Sequence, residues 1–90
     1  MISDQQRELL VIAQEEAAEV IQEISKIFRF GIDASHRDGI PHRRKLEEEV
    51  GDLMCMIDLM IVHGLVDPAE IDIARQAKIS KLKQYSGIYS

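Results

Sequence analysis

Apolar residues recur along the first third of the chain at Leu10, Ala13, Ala17, Val20, Ile24 and Ile27/Phe28. A spacing of three and four marks one face of an amphipathic helix, here about 25 residues long. Ser3 or Asp4 supplies an N-cap, and Gly31 supplies a stop after Arg29. The next stretch, FGIDASHRDGIPH at 30–42, has two glycines, a proline and scattered Asp and His, and reads as a loop. It is long for a connection between helices, and loops of that length tend to carry function. A second helix is expected from about Pro41–Arg44 to His63, ended by Gly64. Asp67–Pro68 matches an N-cap followed by an N1 proline, which opens a third helix over 68–84. Nothing alternates with period two, so the fold class is all-α, with three main helices in a single domain over 1–90.

The second helix changes the picture of how the chain is covered. LMCMIDLMIVHGLV, at 53–66, is apolar on nearly every side. Such a helix needs neighbours all round, and two partner helices in a small domain are too few. The pattern predicts a homodimer, or a dimer of dimers, in which helices of two chains complete a four-helix core. With no Trp, two Phe and two Tyr, that core is aliphatic and rich in Met. Cys55, Met54, Met56 and Met60 are expected in core or interface packing, and Phe28 and Phe30 in the core. One cysteine excludes an internal disulfide.

Net charge is −5. That disfavours a nucleic-acid backbone as partner, because such binding needs a basic face. There is no long uncharged run to span a membrane and no signal-peptide pattern in MISDQQRELL. A cytoplasmic location is the default expectation.

The candidate chemistry lies in two acidic stretches, EEAAE at 15–19 and EEEVGD at 47–52. Residues three apart share a helix face, so Glu16 projects with Glu19, and Glu49 with Asp52. If the two helices pack antiparallel through their apolar stripes, four carboxylates meet, an arrangement that suits a hard divalent cation. The competing reading is a solvated acidic face that favours a helix N-terminus. Asp52 weighs against it, since Asp is a poor interior helix residue and this one has apolar neighbours. Gly51, costly in a helix, suggests a close approach by a helix or ligand. Asp58, the other acid in the apolar run, reads as a solvated position. His36 and His42 read as loop residues, and His63 as a partner for a helix C-terminus.

EEAAEVIQEISK and LEEEVGDLMCMIDLMI together resemble the two signature helices of the MazG-like all-α NTP pyrophosphohydrolases. That superfamily includes dimeric dUTPases, dCTP pyrophosphatases and phosphoribosyl-ATP pyrophosphohydrolases. KISKLKQYS at 78–86 is similar to the basic segment that follows them. The resemblance implies Mg²⁺, or Mn²⁺ in its place, held by Glu16, Glu19, Glu49 and Asp52. It implies hydrolysis of a nucleoside triphosphate to monophosphate and pyrophosphate, with Glu15 or Glu48 handling the attacking water. It implies phosphate contacts from basic residues: Lys26 and Arg29 close the first helix, Arg43, Arg44 and Lys45 open the second and Lys78 and Lys81 lie on the third, with Lys26, Arg29, Lys78 and Lys81 the leading candidates. Two features depart from the pattern. The spacer of 29 residues between Glu19 and Glu49 is long, and the segment ARQAKISKLK at 74–83 lacks the Asn many members carry there. The alternatives are phosphoribosyl-ATP hydrolysis, or a helical dimerisation module without catalysis.

Overall fold

The computed structural model describes all residues, 1–90, as three helices: α1, Asp4–Phe30; α2, His42–Val62; and α3, Pro68–Tyr85. No strand forms beyond a single bridge between Ser35 and Pro41. The α1 start is a capping box. Ser3 Oγ accepts from the Gln6 N–H at 3.0 Å, and Gln6 Oε1 accepts from the Ser3 N–H at 2.8 Å. At the other end Gly31, with φ of 103°, turns the chain where a side chain would be strained. Asp67 caps α3 by accepting from the Ala69 N–H at 2.9 Å.

α1 and α2 form the only substantial helix–helix interface, and they run antiparallel. At one end Gln6 Nε2 donates to the His63 carbonyl at 2.8 Å. At the other, Glu23 meets His42. Between them Leu9, Ala13 and Met56 form a small core, flanked by Ile12, Leu59, Met60 and Leu65. α3 barely touches either helix and buries no residue. The result is a plate of 44 × 37 × 15 Å. Its thickness is little more than one helix diameter of about 10–12 Å. The radius of gyration is 16.1 Å, against about 12 Å for a compact domain of this length. Only 5 of 90 residues are buried, so one chain is a single layer where a stable domain needs two. No helix is long and apolar enough to cross a membrane.

This geometry corrects several expectations. The α1 stripe facing α2 holds Leu9, Ala13 and Glu23, while Leu10, Ile24 and Phe28 are exposed. Only one helix packs on α1, so the stripe it covers is narrow and rotated from the apolar maximum. Phe28 and Phe30 are likewise outside the core, at 85% and 46% exposure. Of the residues expected in core or interface packing, Met56 is core, while Met54 and Cys55 are outside the core of the single chain. His42 is not a loop residue; it opens α2 and is fully buried. A side chain added at Gly51 would meet nothing within 4 Å, so no close approach within the chain accounts for that glycine. Asp58 is exposed as expected, but it lines a cleft between α2 and α3 opposite Arg75.

The loop between α1 and α2 is tied down at its root. The His42 N–H donates to the Ala34 carbonyl at 2.9 Å, and the Arg43 N–H to the Ile32 carbonyl at 2.8 Å. Arg43 holds Asp33 through two bonds of 2.9 and 3.2 Å. Lys45 pairs with Asp38 at 2.7 Å. These contacts give the cations at the α2 N-terminus, unfavourable for the helix dipole, a structural reason.

Candidate metal centre

Antiparallel packing brings the two acidic motifs together. One carboxylate oxygen from each of Glu16, Glu19, Glu49 and Asp52 lies within 4.8 Å of all the others. Glu16 and Glu49 occupy inward positions and are half-buried, while Glu19 and Asp52 sit at the open rim. Oε2 of Glu16 and Oε2 of Glu49 are buried without a hydrogen-bond partner.

Electrostatics follow from this crowding. Glu49 is pushed up to about 7, first by a hydrogen shared with Glu19, then by burial and the charges of Glu19, Asp52 and Glu16. Glu16 is raised by burial, then by the charges of Glu19 and Asp52. No cationic side chain forms an ion pair with any of the four. Carboxylates gathered without a counter-charge take up protons or a cation. An oxygen-only set, with buried oxygens lacking donors, fits a hard cation.

The other residues singled out in the sequence are distributed unevenly. Glu15 is exposed and outside the four, yet its charge is felt by Glu16. Glu48 is also outside and pairs with Arg44 at 3.3 Å. Lys26 donates to Glu23 Oε1 at 3.1 Å. Arg29 lies over the Phe30 ring, 5.0 Å from its centroid. Lys78 and Lys81 sit exposed on α3, which one chain does not pack beside the carboxylates.

The pattern of the sequence does not reveal the buried Glu23–His42 contact, with His42 set between Phe30 at 5.9 Å and His36 at 4.8 Å between ring centroids. Glu23 falls on the buried α1 stripe one turn beyond Glu19, and that register is the available signal. Of the cations that open α2, Lys45 lies seven residues before Asp52 and so on the same side of the helix.

Comparison with known protein families, curated proteins and solved structures finds no match to this chain in any of the three.

Proposed function

We propose that this chain is a Mg²⁺-dependent nucleoside triphosphate pyrophosphohydrolase working as a homodimer. The carrying observation is the convergence of Glu16, Glu19, Glu49 and Asp52, two of them with a buried oxygen that no protein donor satisfies. These four residues would hold the ion, with Mn²⁺ as the substitute. Bound there, it would supply Lewis acidity toward a phosphoryl oxygen and a more acidic water. The chain's own part is to gather the ligands at the middle of a groove open on one side. Glu15, beside Glu16 but outside the four, would accept a proton from the attacking water; its charge already reaches Glu16. Glu48, engaged by Arg44, is the second candidate for that role. The water oxygen bonds to the α-phosphorus, the bond to the α–β bridging oxygen breaks, and pyrophosphate leaves.

The dimer rests on the plate shape. Residues five along from Glu19 and Asp52 project to the other side of their helices, since five residues turn about 140° from 3.6 per turn. There Ile24, Ile57 and their neighbours Ile21, Phe28, Met54 and Ile61 form an apolar face opposite the acids. Ile21, Ile24, Phe28 and Met54 on it are exposed. A second copy on that face completes the two layers and the four-helix core. The same exposed face favours the second reading, a helical dimerisation module without catalysis.

Pyrophosphate release from the eight common NTPs and dNTPs, with and without Mg²⁺, separates the two. Metal-dependent release that Asp52→Asn abolishes supports the enzyme. Silence across that panel and with phosphoribosyl-ATP, from folded dimer, leaves the module.

A further inference from the structure

The groove that holds the carboxylates is built in layers. On α1, Ile12, Glu19 and Lys26 are spaced by seven; on α2, so are Leu59, Asp52 and Lys45. Seven residues bring a helix back to nearly the same side, with a drift of about 20°. Each series therefore borders one groove, and antiparallel packing sets Lys26 with Lys45, Glu19 with Asp52, and Ile12 with Leu59. The observed contacts follow this order: Gln6–His63 at one end, the carboxylates at the centre, and Glu23–His42 at the other.

The two ends differ in chemistry. Toward the α1 N-terminus the groove opens into a pocket of about 240 Å³. Ile12, Met56 and Leu59 form its apolar floor, with Gln5, Glu8 and His63 at its edge. This is smaller than the ~300–1,000 Å³ of a site for a whole drug-sized ligand, and suits one ring system. Toward the loop the groove is bordered by cations. Lys26 and Lys45 lie on its two sides, with Arg29, Arg37, Arg43 and Arg44 nearby, interleaved with Glu23, Asp33, Asp38, Glu47 and Glu48, whereas the centre of the groove is acidic only.

From this order we infer that the groove binds a nucleotide in one direction, with its base in the Gln5–Ile12–Leu59–His63 pocket and its polyphosphate tail toward Lys26 and Lys45. This rests on the pyrophosphohydrolase reading and deepens it. A nucleoside triphosphate has the same sequence of parts: a flat, weakly polar ring, a phosphate at the metal, then a strongly anionic tail. The ring desolvates against Ile12, Met56 and Leu59, and its polar edge meets Gln5, Glu8 and His63. The tail meets Lys45, which exchanges its present partner Asp38 for phosphate oxygens, and Lys26, which keeps its bond to Glu23 and offers the phosphate a second of its three N–H donors. The loop at 31–41 then covers the tail, not the base. Base selection belongs to the opposite end of the groove from the loop.

The test compares two probes with Mg²⁺ by titration calorimetry: α,β-imido analogues of the four common ribonucleoside triphosphates, and inorganic tripolyphosphate, which has no base. Ile12→Trp fills the pocket and is expected to weaken the best analogue by roughly tenfold or more, leaving tripolyphosphate nearly unchanged. Gln5→Trp, at an exposed position the fold does not depend on, is expected to do the same without disturbing the core. Lys45→Met is expected to weaken both probes. If both tryptophan variants bind the analogues like the wild type, or lose tripolyphosphate equally, the assignment of the base is overturned while the metal site stands. If the wild type binds neither probe, this inference and the pyrophosphohydrolase reading fall together.

Discussion

Nδ1 of His42 lies 3.6 Å from Oε2 of Glu23, both atoms are buried, and neither has a hydrogen-bond partner. The contact joins the first residue of α2 to α1 about two turns before that helix ends. Glu23 Oε1 is satisfied by Lys26, so the second oxygen depends on His42 alone. Removing one member of such a pair leaves the other buried and uncompensated, whereas removing both with apolar replacements is nearly neutral. His42→Ala should lower the unfolding free energy by about 2–4 kcal/mol, from the orphaned carboxylate and the space left behind. The double variant Glu23→Leu/His42→Leu should recover most of that loss. A double-mutant cycle in urea checks this; additive single effects would show that the two residues do not act as a pair.

The raised Glu49 and Glu16 carboxyls make apo stability depend on pH in a definite direction. Their pKa values in the folded chain are above the ordinary carboxylate range. The folded state therefore holds protons that the unfolded chain releases, and stability is lost as pH rises from about 4.5 through 7. The melting temperature without metal should fall between pH 5 and about pH 8. Saturating Mg²⁺ should reverse the fall at the upper end, since a ligand of the folded state stabilises it. Glu49→Gln should raise the metal-free melting temperature at the higher pH and abolish the response to Mg²⁺. A flat profile in the wild type would contradict the crowding of the four carboxylates.

Gly51 occupies an α2 position where an added side chain meets nothing within 4 Å of its own chain. Glycine inside a helix costs about 1 kcal/mol relative to alanine. Gly51→Ala should therefore stabilise the protein by about that amount, read as a shift in the urea midpoint. A clear loss would show that something outside the chain approaches this backbone closely.

The apolar face opposite the acids should be where two copies meet. Ile21→Glu and Met54→Glu place charges at exposed positions on α1 and α2, where neither disturbs the α1–α2 core. Sedimentation velocity should show a dimer for the wild type and a lighter species for each variant, with lower thermal stability, because a single layer buries too little to stand alone. Unchanged mass in both variants would move the interface elsewhere.

The helices were legible in the sequence because their signals are local. The Ser3 cap, the Gly31 stop and the Asp67–Pro68 start act through bonds within a few residues, and three- and four-residue spacing follows from helix geometry alone. Pairing Glu16 with Glu19, and Glu49 with Asp52, was equally local. That the two pairs meet was conditional on antiparallel packing, a relation between segments thirty residues apart that no short-range rule settles. The tertiary structure supplied that register. With it came the burial of His42 against Glu23, the outward turn of Phe28 and Ile24, and the layered groove from Lys26–Lys45 to Ile12–Leu59. An apolar residue in a sequence declares that it will be covered, but which surface covers it depends on the neighbours available. In a plate one helix thick, α1 has only α2 packed against it, and that is why the apolar stripe of α1 and its buried stripe are not the same.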